Sequence, residues 1–277
     1  MSAVVVKIGG AEAVDATAVI ADVAAHIADG TSMVLTHGGS SAVDATLERL
    51  GREPEYVETP AGVTGRFTDA ETMQVFTMVM PGQINTAITA ELQAAGVDAV
   101  GLSGVDGGLL RGPRKSAVRI IEDGRKKIRR GDHAGRIERV NVSLLQLLLE
   151  AGYTPVVSVP MLADDGVAVN ADADRSAAAI GAAMAATVVL LTDVAGVYAD
   201  ASDPATLIET VDTPDAHAAL TAAAEGFMRR KVMAATEALE GGADRVIIAD
   251  ATVEDPLTAA LAGAGTHISA AAIEVDT

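Results

Sequence analysis

Lys7 follows three valines, Val4 to Val6, and stands just ahead of the pair Gly9 and Gly10. A short β-branched strand of this kind delivers one ammonium to a mouth where backbone can approach an anion closely. A second glycine pair, Gly38 and Gly39, lies between the apolar run 32–36 and the start of a helix. Unpaired N–H groups at such a helix start point outward and suit an anion. Three further pieces have the right chemistry. Arg66 is the only basic residue in the polar stretch 59–68. Asn170, Asp172 and Asp174 alternate with alanines ahead of a helix of small residues. Lys231 closes the sequence GFMRRK at another helix start. Two ammonium groups, an arginine and several backbone donors are what would hold an anion.

Each piece also has a plainer reading. A lysine ending a strand is often a solvated edge charge, and Gly38–Gly39 alone makes a tight turn. Lys231 beside Arg229 and Arg230 would ordinarily sit on a solvated helix face. Asn170 to Asp174 would serve as a helix cap with acids in its first turn. The combination carries the anion-site reading. Other chemistries are missing their residues: the chain has no Walker A pattern, no G-x-G-x-x-G after a strand and no G-x-S-x-G. With no cysteine and five histidines scattered at 26, 37, 133, 217 and 267, no metal site is expected.

The elements that must position these residues alternate regularly. Apolar blocks of strand length alternate with amphipathic helical stretches through most of the 277 residues, which predicts a mainly parallel sheet covered by helices. Strands are expected near 4–8, 32–36, 97–101, 154–159 (ending at Pro160), 187–191, 245–249 and 265–268. Separate helices are expected over 69–80 and 83–95, with a polar loop at 59–68. A boundary near 163–166 divides the chain into 1–165 and 166–277. The apolar run 1–10 is too short for an export signal or a membrane span. A net charge of −18 with three Tyr, three Phe and no Trp disfavours nucleic acid and anionic membranes. It matches the acidic surfaces of halophilic archaeal proteins and suits a salt-rich cytoplasm.

Taken together, the motifs resemble the amino acid kinase family over nearly the whole chain. They comprise the Lys-x-Gly-Gly strand, His37-Gly38-Gly39, Arg66 within VTGRFTD, Asn170-x-Asp172-x-Asp174, TDVAGV at 192–197 and GFMRRK at 226–231. Within the family the sequence is similar to N-acetylglutamate kinases and to kinases of glutamate or 2-aminoadipate carried by the amino-group carrier protein LysW. The resemblance implies an open αβα sandwich (the amino acid kinase fold), with 1–165 binding the acceptor and 166–277 binding ATP. It implies that Lys7 and Lys231 neutralise the phosphoryl oxygens and that Asp174 holds both lysines, a role Asp172 also suits. Gly9, Gly10 and Gly38 would donate backbone N–H groups. Gly38, Gly39, Arg66 and Asn170 would bind the acceptor. Thr192, Asp193, Gly196 and Tyr198 would lie against the nucleotide, and Mg²⁺ would accompany ATP. Relatives of this kind are usually homodimers, for which Val75, Phe76 and Val79 offer an apolar patch.

Eleven of the chain's twenty lysines and arginines fall between Arg111 and Arg139. The turn signals Gly112–Pro113, Asp123–Gly124 and Gly131–Asp132 predict β-hairpins there. Nearby acids such as Glu122, Asp132 and Glu138 would make this an ordinary solvated face. A basic arm on so acidic a protein instead suits docking of an acidic macromolecule, because opposed charge steers association. GRKKIRRGDHAGRI, with Lys126, Lys127, Arg129 and Arg130, and Ser40 after His-Gly-Gly resemble the carrier-dependent kinases, whose carrier is small and acidic. RNA fits less well, since the arm has no aromatic for stacking. The expectation is an ATP-dependent kinase of a carrier-linked side-chain carboxylate. N-acetylglutamate kinase and a non-catalytic nucleotide sensor are the alternatives.

Overall fold

A computed structural model describes residues 3–9, 16–60, 62, 64–122 and 125–273, and the Asp123–Gly124 turn lies outside them. Val4–Ile8 runs through the middle of a sheet that has eleven strands among the described residues. It pairs in parallel with Met33–His37 on one side and Thr187–Thr192 on the other. Beyond Met33–His37 lies Thr154–Ala163, with Ala99–Gly104 and Leu110–Gly112 parallel to it. Beyond Thr187–Thr192 lies Arg245–Asp250, followed by the antiparallel Thr266–Ser269. The sheet is mainly parallel, with helices on both faces. Strands from the two halves of the sequence join at the pairing of Val4–Ile8 with Thr187–Thr192, and again where Ala168–Val169 pairs with Thr154–Ala163.

The pleat of the central strand decides where Lys7 goes. Val4, Val6 and Ile8 belong to the apolar cluster that includes Val19, Ile20 and Val23 of the helix Ala16–Ala28. Val5 belongs to the opposite cluster, with Ala177 and Ile180 of the helix Ala173–Met184 and Val232 and Ala235 of the helix Gly226–Glu240. Side chains two apart share a face. Lys7 therefore rises on the side of Val5, toward the helices that carry Asp174 and Lys231. Burying Val5, Val6 and Ile8 stabilises by roughly 1.5–3 kcal/mol each. That helps offset the several kcal/mol an ammonium loses with its water.

Several boundaries differ from the sequence expectation. The helices Ala70–Thr77 and Thr86–Ala94 are one continuous run, joined by a π-helical segment over Met78–Asn85. Pro81 lies inside that segment. It has no N–H to give an α-helical ladder, and a wider turn absorbs the defect. The strand Thr154–Ala163 passes through Pro160, where its partners change from Ala99–Gly104 to Leu110–Gly112 and Ala168–Val169. Proline falls at that changeover, where a ladder donor is least needed. The predicted loop at 59–68 is part of a small hairpin, Tyr56–Glu58 against Thr64–Arg66. Val75, Phe76 and Val79 are buried in the core, so they are not a surface patch; Met78 is the exposed large apolar residue there.

Most of the basic segment is an antiparallel hairpin, Arg114–Glu122 with Arg125–Gly135, forming its own two-stranded sheet. Backbone bonds fix its base to the body. The His133 N–H donates to Thr68 O (2.7 Å), the Asn170 N–H to His133 O (2.7 Å) and the Gly135 N–H to Asn170 O (2.8 Å). Among the described residues no helix is long and apolar enough to cross a membrane.

Candidate active site

The carboxyl ends of Val4–Ile8, Met33–His37 and Thr187–Thr192 open onto one cleft of about 1450 Å³. The chain runs outward from Val4–Ile8 on one side of the sheet, then returns to build its other side. Ligands of open α/β sheets bind at such a reversal.

At its floor Lys7, Asp174 and Lys231 converge, and all three are buried. Lys7 Nζ lies 3.0 Å from Asp174 Oδ1, and Lys231 Nζ lies 3.1 Å from Asp174 Oδ2. Asp174 is in the first turn of Ala173–Met184, behind its cap Asp172, whose side chain accepts from the Arg175 N–H (3.1 Å). Asp172 also faces Arg230 at 3.5 Å. The two acids thus have different tasks: Asp172 caps the helix, and Asp174 lies between the lysines.

Two ammonium groups sharing one carboxylate leave a net positive charge at the buried floor of the cleft. Burial opposes the Asp174 charge, but Lys7 and then Lys231 outweigh it and hold its carboxyl well below the usual carboxylate range. For Lys7, burial favours the neutral form, yet Asp174 prevails and keeps the amine above the ordinary lysine value. For Lys231, burial and the neighbouring Lys7 charge push the amine down, and Asp174 recovers only part of that. An anion entering here would relieve the repulsion between the lysines.

The glycine-bearing turns divide into donors and spacers. The Gly38 N–H, expected to point at an anion, donates to Ile8 O (3.0 Å) and extends the ladder between the first two strands. Gly39 is a packing position: a Cβ there would meet Ile84 Cδ1 at 2.2 Å and Met80 Sδ at 2.8 Å, both on the π-helical segment. Gly196 is another, since a Cβ would meet Thr266 Oγ1 at 2.6 Å. Gly9 lines the cleft, as do Thr192, Asp193, Gly196 and Tyr198, at and beyond the end of the neighbouring parallel strand. Gly10 lies outside the described residues. Thr192 Oγ1 donates to Asp193 Oδ1 (3.1 Å), and Tyr198 bridges to Leu207.

Arg66 and Asn170 also line the cleft. Asn170 Nδ2 donates to Thr68 Oγ1 (2.9 Å) and its backbone bonds His133 and Gly135, so the residue four before Asp174 is tied to the segment after the small hairpin and to the basic arm. Arg66 is paired with Asp44 and donates to Ser40 Oγ (2.7 Å) and Tyr56 OH (2.9 Å). On the basic hairpin Lys126, Lys127 and Arg130 are exposed, along with Ile128 between them. Arg129 is turned inward: it pairs with Glu55 and its guanidinium stacks 4.0 Å from the Phe67 ring centroid. It belongs to the arm's attachment rather than to its outer face.

Sequence reasoning missed the residues that orient the second glycine turn. His37 is buried, its Nδ1–H donating to Gly38 O (2.9 Å) while Nε2 accepts from Asn85 Nδ2 (3.2 Å). Asn85 Nδ2 also donates to Val156 O (2.9 Å). Burial pushes His37 down to about 4, with Lys7 adding to the effect against the bond to Gly38. The unfolded ring takes a proton near 6.5 and the folded ring only near 4. The His37 contribution to stability is therefore unchanged above pH 6.5, declines between 6.5 and 4, and levels off below, a loss of about 3 kcal/mol from this group. Urea unfolding of the wild type and His37→Gln across this range checks it. The stability difference between them should shift against the wild type as pH falls; a pH-independent difference would contradict it.

A helix-covered parallel sheet with two buried lysines meeting on one carboxylate at its reversal point has the apparatus of a phosphoryl-transfer enzyme. The sequence profile of the Amino acid kinase family matches residues 2–250. The chain belongs to that family and is a phosphotransferase. It is 43% identical over 267 residues to the LysW-aminoadipate kinase of Deinococcus radiodurans, covering 96% of this chain and 91% of that protein. The acetylglutamate kinase of Methanopyrus kandleri is 42% identical over 246 residues, covering 88% and 93% respectively. Among solved structures, the N-acetylglutamate synthase of Neisseria gonorrhoeae, complexed with coenzyme A and N-acetyl-glutamate, superposes with a TM-score of 0.78 at 25% identity. That match covers 99% of this chain but 60% of the longer synthase. A Giardia lamblia carbamate kinase bound to AMP-PNP shares the fold (TM-score 0.66, 15% identity, 97% of this chain and 98% of that one).

Proposed function

We propose that the enzyme transfers the γ-phosphoryl group of ATP to the side-chain carboxylate of glutamate or 2-aminoadipate linked to a LysW-type carrier, forming an acyl phosphate for arginine or lysine synthesis. The observation that carries this reading is the placement of Lys7 and Lys231 on either side of Asp174. A carboxylate nucleophile is ionised at neutral pH and needs no general base. Its obstacle is charge: at ~4 Å, one pair of unit negative charges repels by about 4 kcal/mol at an effective dielectric of 20. Cations fixed in a buried site remove that obstacle and stabilise the charge spread over the transferring group. Lys7 and Lys231 approach the phosphoryl oxygens from opposite sides, and Asp174 keeps both in place. Gly9 and Gly10 supply N–H groups, Arg66 and Asn170 hold the acceptor, and the 192–198 turn lies against the nucleotide. Residues 1–165 form the acceptor lobe and 166–277 the ATP lobe.

Mg²⁺ would accompany ATP and would offset the negative charge of its phosphates. Asp174 would not hold that ion, because it is shared by two ammonium groups. The enzyme works in a salt-rich cytoplasm as a homodimer, independent of nucleic acid or membrane. Carrier linkage is supported by the similarity to the Deinococcus kinase and by the exposed Lys126, Lys127 and Arg130 on an arm of opposite charge to the rest of the protein. Free N-acetylglutamate is the second reading, favoured by the similarity to the Methanopyrus enzyme.

Trapping the acyl phosphate with hydroxylamine distinguishes the two. Product should form with a carrier-linked acceptor and ATP, and far more slowly with free N-acetylglutamate. Robust turnover of the free compound alone would defeat the carrier reading. In the same assay at fixed salt, reversing the charges of Lys126, Lys127 and Arg130 should raise KM for the carrier well above any change in KM for ATP. Equal effects would remove the hairpin from docking.

A further inference from the structure

Nearly every cation that lines the cleft already has a carboxylate. Lys7 and Lys231 share Asp174, Arg66 has Asp44 and Arg230 has Asp172. Arg136 pairs with Glu138, and Arg175 with Glu237, its Nε–H donating to Glu237 Oε2 (2.7 Å). Lys115 lines the same cleft and is exposed, and among the described residues it has no acid partner. Two acids lie near enough to act on its charge, and both are engaged elsewhere. Glu237 holds Arg175, while Asp132 is buried and accepts from the Thr68 N–H (3.1 Å). Partial burial pushes the Lys115 amine down, with Arg175 and Arg136 adding to the effect against Asp132 and Glu237. An anion is what this position lacks.

The strand register puts Lys115 beside the acceptor. It stands at the base of the basic hairpin, directly opposite Ala134 of the partner strand, and Ala134 in turn bridges Asn170. Residues opposite one another in a ladder share a face. Lys115, Ala134 and Asn170 accordingly all line the cleft. We propose that Lys115 binds the acceptor's second carboxylate, the α-carboxylate that does not react. This deepens the proposed function and rests on its reading of the acceptor as an amino acid joined through its amino group, which keeps two carboxylates. It holds for carrier-linked and N-acetylated forms alike. One carboxylate must meet the γ-phosphate between Lys7 and Lys231. The other enters a cleft whose remaining cations are already paired, and it needs one with charge to spare. Arg66 offers hydrogen-bond donors but little net charge, because Asp44 is paired with it. Lys115 supplies the charge.

The test is Lys115→Met, which keeps the length of the side chain and removes its charge. With whichever acceptor the wild type phosphorylates, KM for that acceptor should rise about tenfold while kcat and KM for ATP stay within about twofold, because the lost contact is the same in the ground and transition states. The discriminating comparison uses the same acceptor with its α-carboxylate replaced by a carboxamide. The wild type should favour the carboxylate in kcat/KM, and that preference should fall about tenfold in Lys115→Met. Arg119→Met removes one exposed charge from the same strand, away from the cleft lining, and should leave the preference unchanged. A preference that Lys115→Met does not lower, or that Arg119→Met lowers equally, would overturn the proposal. If the wild type phosphorylates neither acceptor, the proposed function fails on its own. Calorimetric titration with N-acetylglutamate and its α-amide then decides for Lys115: a wild-type preference for the carboxylate that Lys115→Met loses upholds the assignment, and any other result rejects it.

Discussion

Lys7→Ala should lower kcat by about a thousandfold while KM for ATP changes by only a few fold, because the lost interaction is greatest in the transition state. Lys7 has no solvated alternative position. It is buried, rises from the central strand on the face of Val5, and is held 3.0 Å from Asp174. Lys231→Ala should give a loss of the same order, and the double variant should lose much less than the product of the two, since the lysines serve one charge. Lys7→Arg should recover little, because a larger planar cation does not fit a buried ammonium site. Steady-state kinetics at saturating acceptor with hydroxylamine trapping measure all four enzymes. Unchanged ATP turnover in Lys7→Ala would remove the catalytic role and revive the nucleotide sensor.

The sheet and its parallel pairing were legible in the sequence because each rests on a local signal, whereas the meeting of Lys7, Asp174 and Lys231 was legible only through the resemblance of the motifs to the amino acid kinase family. Val4 to Val6 fix a buried strand, and its pleat sends Lys7 toward the helices bearing the other two. The tie between Asp172 and Asp174 was not legible from spacing, since both positions precede the same helix. It is resolved by a rotation: the cap residue turns back to the Arg175 N–H, and only the residue in the first turn faces the sheet. The Gly38 N–H was misread because a strand continuing one residue further consumes the donor that a turn would have exposed. Asn85 was invisible for a different reason. Its reach to His37 depends on the π-helical winding over Met78–Asn85, and a proline in a helical pattern signals a break more readily than a wide turn. Asp44 could have been found, four residues after Ser40 on one helix face, had Arg66 been asked what neutralises it.

Asp174→Asn separates a catalytic arrangement from a merely structural one. The amide keeps the size and can still accept a hydrogen bond, but it leaves Lys7 and Lys231 buried and facing each other without an intervening charge. Removing one partner of a buried ionic group costs ~3–5 kcal/mol, because what remains is uncompensated. The protein has a second route, which is for one lysine to release its proton. Lys231 should be that lysine: burial and Lys7 already depress it, and Asp174 is what restrains the fall. In the wild type, activity is present while Lys231 is protonated and disappears as pH rises through its pKa. In the variant the same limb should move toward neutral pH, with kcat about a hundredfold down at pH 8 and partly regained at pH 6. The acid side responds oppositely. Wild-type Asp174 contributes stability that is present above the ordinary carboxylate pKa and lost only in strong acid, because its folded value is depressed. The variant lacks that contribution, so its stability deficit should narrow as pH falls below about 4. Profiles of kcat against pH and urea midpoints over the same range measure both effects. A uniform loss of activity with an unmoved alkaline limb would mean that Asp174 supports the helix and does not set the charge of the lysines. A shifted limb would mean that the carboxylate holds the phosphate-facing cations in their working protonation state.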